Sequence, residues 1–286
     1  MSTHCICGGT EPSLSALDAQ QAQYQTSNAI VRGTFGNNST RALEFYSPFV
    51  NFVEGLKVPK GSKLLDVGCG CGWSTYAFAQ TGYAATGIDL NPGAFEPPPH
   101  PGCTLKEGNA LRIDFPSESF DLVVCINCLE HLPNPRQALD ELTRVCKPGG
   151  KIAITSPNLL SPTVGLLYCL RPSSWKSLIF FRRKETPKHP YGNTIPETFA
   201  FAFLRAAQLM LKLVCTTPVF SMREADTRPP FFADNDACYL CNPTDLIRYF
   251  KRQGFKLERR GKPNRPPLSY LFAGGTWIAA QKPAAN

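Results

Sequence analysis

The chain of 286 residues contains no long, uninterrupted apolar segment. Its two most apolar stretches, residues 161–181 and 199–214, are broken by prolines and Arg171 in the first and by Arg205 and Lys212 in the second. A membrane-spanning helix needs about 20 predominantly apolar residues, so we expect neither stretch to cross a membrane. The first ten residues also lack the apolar run of a secretory signal. We therefore expect a cytoplasmic protein, with peripheral contact to a membrane left open.

Metal-binding cysteine spacing is also missing, although the sequence has 12 cysteines. The two C-x-x-C pairs, Cys125/Cys128 and Cys238/Cys241, lie far apart, whereas a structural zinc site usually has its ligand pairs much closer in sequence. In a reducing compartment thiols serve as small core residues rather than as disulfides. We therefore predict reduced, buried cysteines and no metal site.

Positive charge is not concentrated around any recognisable binding motif, even though the formal net charge is +8. Excess basicity favours nucleic acid or anionic membranes only where Lys and Arg cluster. The basic run at residues 182–184 belongs to no known nucleic-acid-binding module, and no motif for a flipped base follows the fourth apolar strand. We therefore expect no nucleic-acid partner.

What the sequence does contain is an alternation of apolar strands and amphipathic helices from residue 63 onward. Such alternation predicts an α/β fold with a doubly wound, mostly parallel sheet and helices on both faces. Two leading helices are expected before it. The predicted strands lie at 63–68, 83–90, 103–108, 120–127, 151–156, 256–261 and 276–281, and the predicted helices at 13–31, 41–56, 73–82, 135–147 and 242–255.

Residues 158–237 interrupt this alternation with proline-punctuated, aromatic and basic sequence. We interpret them as an inserted lid, because ligands of such sheets bind beyond the carboxyl ends of the strands. Residues 1–157 would then hold the N-terminal helices and the first part of the core, and residues 238–286 its final helix–strand part. Within the lid, residues 199–214 have a helical apolar face so wide that it predicts deep burial or contact with lipid.

The most informative motif is LLDVGCGCG at residues 64–72, a buried strand that runs into a glycine-rich turn. Gly68, Gly70 and Gly72 remove side chains where a ligand must approach the backbone. Asp89 ends the next strand, where a carboxylate can accept hydrogen bonds from ribose hydroxyls. A dinucleotide-binding dehydrogenase shares both features, but its G-x-G-x-x-G spacing is absent here.

Further motifs extend this pattern: GNA at 108–110, FDLV at 120–123, LEHLPNP at 129–135 and KPGG at 147–150. The whole resembles the class I S-adenosylmethionine-dependent methyltransferase family, with a type 11-like core, over about residues 60–158 and again over 242–283. The resemblance implies a Rossmann-like sheet with an antiparallel last strand, and S-adenosyl-L-methionine as cofactor. The cofactor-binding residues that it implies are Asp66, Gly68, Cys69, Gly70, Gly72, Asp89, Leu90, Asn109, Ala110 and Cys128.

Some of these residues receive particular roles from the resemblance. Asp66 would help to hold the ammonium group of the cofactor, directly or through water, and Asp89 would bind the ribose. Asn109 stands where many relatives have Asp and would accept from the adenine amino group, with a turn-forming role as the alternative. Ala110 would offer its backbone N–H to the adenine ring.

His131 is the candidate catalytic residue, because it follows the fourth predicted strand near the expected position of the reactive methyl group. A neutral imidazole can accept a proton from an attacking hydroxyl. The alternative is that Glu130 and His131 only shape the following helix, since positioning alone can supply much of the catalysis.

The activity implied by the resemblance is methyl transfer to a small-molecule, sugar or lipid-linked acceptor, with O, N, C and S all open as the attacking atom. One alternative is a peripheral membrane enzyme that acts on lipid, in which basic lid residues touch anionic headgroups. Another is a cofactor-binding protein without turnover. Aromatic lid residues would shape an apolar acceptor pocket: Tyr168, Trp175, Phe180, Phe181 and Tyr191.

Overall fold

The computed structural model of the protein describes residues 39–91, 96–161, 195–223, 237–261 and 274–285. Its strands are, in chain order, β1 (Lys63–Val67), β2 (Ala84–Asp89), β3 (Cys103–Glu107), β4 (Phe120–Ile126), β5 (Cys146–Pro157), β6 (Lys256–Arg260) and β7 (Gly275–Gln281). They form one sheet in the order β3-β2-β1-β4-β5-β7-β6. Neighbouring strands are parallel except where β7 pairs with β5 and with β6. The predicted mostly parallel sheet with an antiparallel last strand is thereby confirmed.

Helices cover both faces of this sheet. They are α1 (Ser39–Glu54), α2 (Trp73–Gln80), α3 (Pro135–Val145), α4 (Ile195–Val214) and α5 (Pro243–Arg252), and a short 3-10 helix, Leu129–His131, follows β4. One apolar core joins α1 and α2 to Leu64 and Leu122, and the other joins α3 and α5 to Leu65 and Val123. Successive strand residues point to opposite faces, so an apolar run such as the one in β1 feeds both cores.

Capping residues explain where α3 and α5 begin. Asn134 accepts a hydrogen bond from the backbone N–H of Gln137 at 3.0 Å, and Asn242 accepts one from the N–H of Asp245 at 3.1 Å. A proline follows each asparagine at the first helical position, where its missing N–H costs no hydrogen bond. Each asparagine therefore satisfies one backbone N–H in the first turn of its helix.

The main difference from the sequence prediction is the start of β5. The strand begins at Cys146, which pairs with Phe120, and its register shifts before Lys151 pairs with Leu122. The KPGG run occupies this irregularity, and Gly149 has a φ of 74°. Pro and Gly are tolerated in a strand at such a bulge, so the predicted start at residue 151 was too late.

The predicted lid, residues 158–237, is described only in part. Helix α4 confirms the helix expected at residues 199–214 and begins four residues earlier, at Ile195. Within the described ranges, no helix is long and apolar enough to cross a membrane. The predicted helix at 13–31 and the five aromatic lid residues named above lie outside the described residues.

Candidate functional site

The glycine turn links β1 to α2 at the carboxyl edge of the sheet. Gly68, Gly70 and Gly72 have φ values of 72°, 56° and 90°, a region that residues with a Cβ atom rarely adopt. A Cβ atom at Gly68 would overlap the Sγ atom of Cys128, whereas one at Gly70 would meet no atom within 4 Å. The turn therefore packs against the end of β4 at Gly68 and leaves open space beside Gly70, where a ligand can approach the backbone.

Asp66 lies two residues before this turn and is fully buried. Its Oδ2 accepts hydrogen bonds from the Ser74 hydroxyl at 2.5 Å and the Thr75 hydroxyl at 2.8 Å. Its Oδ1 is buried without a hydrogen-bond partner among the described residues. Burial raises the pKa of Asp66 to about 6, against the opposing effect of the two hydroxyl donors. An unmatched carboxylate oxygen of this kind fits a cationic donor such as an ammonium group.

Asp89 ends β2 and faces the same turn. Its Oδ2 accepts from the backbone N–H of Gly70 at 2.9 Å, and its Oδ1 accepts from that of Asn91 at 3.2 Å. Burial raises the pKa of Asp89, although backbone N–H groups of Gly70, Asn91 and Leu90 work in the opposite direction. Since a carboxylate accepts about four hydrogen bonds, Asp89 can hold the turn and still accept from ligand hydroxyls.

Asn109 and Ala110 follow β3 on the same edge. The Gly108 N–H donates to the Asp89 carbonyl at 2.9 Å, which ties this loop to the end of β2. The side-chain oxygen of Asn109 accepts from the Leu111 N–H at 2.8 Å, an arrangement typical of a turn-forming asparagine. A carboxamide oxygen has two lone pairs, so this turn and the adenine contact implied by the resemblance are compatible.

The end of β4 brings a third group of side chains to the site. Cys128, which lies against Gly68, caps the short 3-10 helix that contains Glu130 and His131. Glu130 is fully buried, and its Oε2 accepts from the Ser156 hydroxyl near the end of β5 at 2.9 Å. The Nε2 of His131 lies 3.7 Å from the Glu130 Oε1. A histidine and a buried carboxylate are thus adjacent at the edge that carries the glycine turn.

The thiols of the site are not suited to act as nucleophiles. Burial raises the pKa of Cys69, and a hydrogen bond with Cys125 together with burial raises that of Cys128, both well above the ordinary value. A neutral thiol is a poor nucleophile. The nine described cysteines are all free thiols, and the described residues contain no cluster that could hold a metal ion.

Two structural features were missed in the sequence. The buried segment 237–242 runs beside the 3-10 helix, and the backbone N–H groups of Cys238 and Tyr239 both donate to the Glu130 carbonyl at 2.9 Å. Lys212 of α4 forms a buried ion pair of 2.6 Å with Asp245 of α5. The LEHLPNP motif contains Glu130, but no spacing in the sequence shows that Glu130 and Ser156 touch.

Known proteins match the part of the chain that contains the glycine turn, Asp89 and the end of β4. Residues 65–154 match the family model described as "Methyltransferase domain". A ubiquinone biosynthesis O-methyltransferase from Methylococcus capsulatus is 36% identical over 135 residues, which are 43% of this chain and 56% of that protein. One from Saccharophagus degradans is 30% identical over 179 residues, which are 58% of this chain and 70% of that protein.

A solved structure shares the fold. The 1,6-didemethyltoxoflavin-N1-methyltransferase of Burkholderia thailandensis, with bound 1,6-didemethyltoxoflavin and S-adenosylhomocysteine, has a TM-score of 0.54 and 13% identity, covering 96% of this chain and 93% of that one. The chain spans about half the length of most of the curated relatives that it matches. The Saccharophagus protein is matched over more than two thirds of its length. With the strand order and glycine turn described above, these matches show that the chain belongs to the class I S-adenosylmethionine-dependent methyltransferase family.

Proposed function

We propose that the protein transfers a methyl group from S-adenosylmethionine to a hydroxyl group of a small-molecule acceptor. The observation that carries the proposal is the contact between Gly68 and Cys128. It joins the glycine turn, which fits the cofactor, to the 3-10 helix that contains His131. A cofactor cradle and a proton acceptor therefore share one edge of the sheet.

The residues of the chain divide the work between binding and proton transfer. When bound, the cofactor supplies an electrophilic methyl group on positively charged sulfur. Asp66 would pair with the ammonium group of the cofactor and Asp89 with its ribose. The open space at Gly70 would admit the cofactor beside the backbone of the turn. His131 would take the proton of the acceptor hydroxyl as the oxygen bonds to the methyl carbon and the carbon–sulfur electron pair leaves with sulfur.

Two observations favour a phenol or quinol as the acceptor. The relatives described above act in ubiquinone biosynthesis and transfer methyl to oxygen, as their names state. The three buried carboxylates Asp66, Asp89 and Glu130 make the site suited to positive charge, which disfavours a carboxylate- or phosphate-rich acceptor beside them. A protein without turnover remains the alternative, and it would bind the cofactor while methylating nothing.

His131→Ala tests the proposal, with catechol as a probe acceptor and labelled S-adenosylmethionine. If His131 is the base, turnover should fall by about 100-fold or more while cofactor affinity stays nearly unchanged. His100→Ala is the matched control, because His100 lies before β3, where its ring accepts from the Gly102 N–H. Unchanged turnover in a well-folded His131 variant would remove the base, and no methylation of any phenol by wild type would refute the proposed reaction.

A second candidate function is contact with a lipid surface through helix α4. A surface helix usually exposes its charged side chains and buries its apolar ones. Among the described side chains of α4, Arg205 and Lys212 are instead buried. The large side chains that it exposes are all apolar: Phe199, Phe203, Leu204, Met210, Leu211, Leu213 and Val214. Such a face suits an apolar surface, and the basic run at residues 182–184 precedes the helix in sequence.

Flotation with vesicles of phosphatidylcholine and phosphatidylglycerol tests this contact. Wild type should float with the vesicles, and Phe203→Ser with Met210→Ser should reduce the bound fraction several-fold. Phe45→Ser on α1 is the control, since Phe45 is also half exposed but lies on another helix. Equal flotation of all three proteins, or none, would refute lipid contact through α4.

A further inference from the structure

Glu130 is a buried carboxylate to which neither the resemblance nor the proposed reaction gives a role. It is fully inaccessible to solvent, and its Oε2 is held by the Ser156 hydroxyl at 2.9 Å. Its backbone carbonyl accepts two further hydrogen bonds, from the N–H groups of Cys238 and Tyr239. Burying a carboxylate is costly unless it is paired and hydrogen-bonded, so a residue fixed at three points in this way calls for an explanation.

One side chain beside the Glu130 carboxylate that can carry positive charge is its neighbour in sequence, His131. The Oε1 of Glu130 lies 3.7 Å from the Nε2 of His131. With Nε2 nearer the carboxylate, the opposite ring nitrogen, Nδ1, is the one that would take the proton, and it is buried in the structure. The Ser156 hydroxyl thus contacts the Glu130 carboxylate, which in turn lies beside the His131 imidazole. In many enzymes a third group orients the catalytic base in a similar way.

A carboxylate in this position would act on the positive charge that moves during the proposed reaction. Before the reaction one positive charge lies on the sulfur of the cofactor. When the acceptor oxygen bonds to the methyl carbon, the carbon–sulfur electron pair goes to sulfur and the acceptor proton goes to the imidazole. The positive charge has then moved from sulfur to His131, beside the buried carboxylate, where low polarity strengthens the attraction.

We propose that Glu130 is the positioning residue of His131: it fixes the imidazole and stabilises the positive charge that the imidazole acquires. Ser156 and the segment 237–242 in turn hold Glu130. The inference rests on the proposed function, since it assigns to His131 the proton of the acceptor. Because Glu130 is fully buried, we expect it to act through His131 and not by contact with cofactor or acceptor.

Among the described residues, other ionisable groups around the pair come from β2, the end of β4, α4, α5 and segment 237–242. A hydrogen bond with Cys125 and burial raise the pKa of Cys128, and burial raises the pKa values of Cys241 and Tyr239, so these groups stay neutral where histidine titrates. The charge of Asp245 is matched by Lys212. Asp89, within electrostatic reach of Cys128, has a pKa raised by burial and is the same in every variant considered below.

The test is the titration of His131 followed by NMR in the full chain with labelled histidine. The sequence has four histidines, so the His131 signal can be assigned by its loss in His131→Gln. In Glu130→Gln the midpoint of the His131 titration should move to lower pH by about one unit or more, because an opposite charge at this distance favours the protonated ring. The His100 midpoint should not move.

Matched variants separate charge from shape. Glu141→Gln makes the same chemical change at a carboxylate paired with Arg144 on α3 and should leave His131 unchanged. If Glu130→Gln does not fold, Glu130→Asp serves instead, since it keeps the charge but retracts it and should give a smaller shift in the same direction. A His131 midpoint that stays within about 0.3 unit of wild type in the folded variant would overturn the assignment.

Turnover with catechol distinguishes this inference from the proposed function. Glu130→Gln should lower the turnover by about tenfold or more and move the acid limb of the pH profile to lower pH, as in the titration. Ser156→Ala, which keeps the charge, should lower turnover less and leave the acid limb in place. A shifted titration with unaltered turnover would mean that Glu130 pairs with a histidine that is not the base, so the assignment of Glu130 as a positioning residue would fail.

Discussion

Asp66 is the residue at which stability and ligand binding oppose each other most clearly. Its pKa of about 6 lies above the ordinary value of 3.8, so the folded chain holds this proton more tightly than the unfolded chain does. The contribution of Asp66 to stability is therefore unfavourable above about pH 6 and disappears as the pH falls toward 4. A ligand ammonium beside Oδ1 would reverse this, because an opposite charge favours the ionised carboxylate.

We expect the affinity for S-adenosylhomocysteine to rise between about pH 5 and 7, because Asp66 must lose its proton to pair with the ligand. Asp66→Asn should remove this rise and weaken binding at pH 7 by about 1.5 to 3 kcal/mol. Without ligand, the variant should be more stable than wild type at pH 7 and nearly equal to it at pH 4.

Calorimetric titration and urea unfolding at several pH values measure both effects. The hydroxyls of Ser74 and Thr75 can still donate to the carboxamide oxygen of the variant, so the local fold should survive. A variant that is less stable than wild type at pH 7 and binds with unchanged affinity would make Asp66 a purely structural carboxylate.

Single residues were predictable where their type restricts the backbone or the chemistry. The positive φ values of the three glycines explain why the turn needs this residue type, while ligand approach at the turn stays a prediction. The turn geometry of Asn109 was foreseen only as an alternative, since asparagine serves both turns and ligands. The partners of Glu130 could not be foreseen, because Ser156 and Cys238 reach it from other strands and loops.

We propose that cofactor binding depends on the glycine turn, and a second glycine provides the control. Gly70 and Gly149 both have a positive φ, and a Cβ atom at either would meet nothing within 4 Å. Replacement by Ala should cost each protein about 1 to 2 kcal/mol of stability through backbone strain. Only Gly70→Ala should also weaken S-adenosylhomocysteine binding, by tenfold or more, since Gly149 lies in the KPGG run before Lys151.

Melting curves of the two variants measure the loss of stability through backbone strain, and calorimetric titration measures the loss of ligand affinity. Gly70→Val should bind no ligand while remaining folded, because its larger side chain fills the same open space. Equal affinity in Gly70→Ala and Gly149→Ala would place the cofactor elsewhere than at the turn.

Helix α4, in the predicted lid, is joined to α5 by a buried ion pair between Lys212 and Asp245. Asp245 accepts from the Lys212 ammonium at 2.6 Å, the Asn242 amide at 2.7 Å and the Tyr239 hydroxyl at 3.2 Å, and Lys212 also donates to the Val219 carbonyl. Removing one partner of a buried pair leaves an uncompensated charge, at a cost of about 3 to 5 kcal/mol.

Lys212→Met should therefore destabilise the protein by that amount, and Lys212→Met with Asp245→Asn should recover part of the loss. Denaturant unfolding of the two single variants and the double variant completes the cycle. Lys256→Met, which breaks an exposed pair with Glu258, should change stability little. Full additivity of the two buried substitutions would show that the pair does not hold α4 to the core.

At the scale of the whole molecule, the mostly parallel sheet follows from the alternation of strands and helices, because parallel neighbours need a crossover between them. The central strands were predicted well, apart from the start of β5, because their residues are apolar on both faces, as in Leu64 and Leu65, which belong to different cores. The lid was predicted only as an insertion. Its contacts depend on groups distant in sequence, such as Lys212 with Asp245 and Arg223 with Cys238, which no local pattern encodes.

The fold places every described part of the proposed site along one edge of this sheet. Gly70 and Asp89 come from the ends of β1 and β2, Asn109 from the end of β3, and His131 from the end of β4. Because the carboxyl ends of parallel strands meet at one edge, a single ligand can touch residues that are far apart in sequence. The central claim is that this edge binds S-adenosylmethionine.

Calorimetric titration of S-adenosylhomocysteine into wild type and Asp89→Ala tests that claim most directly. Asp89 accepts only backbone N–H groups in the described structure, so its loss should leave the core folded, as a melting curve can verify. We expect saturable binding with one ligand per chain, weakened in the variant by about 1.5 to 3 kcal/mol through loss of charge-assisted hydrogen bonds. Equal affinity in the folded variant and wild type, or no binding by wild type, would contradict it.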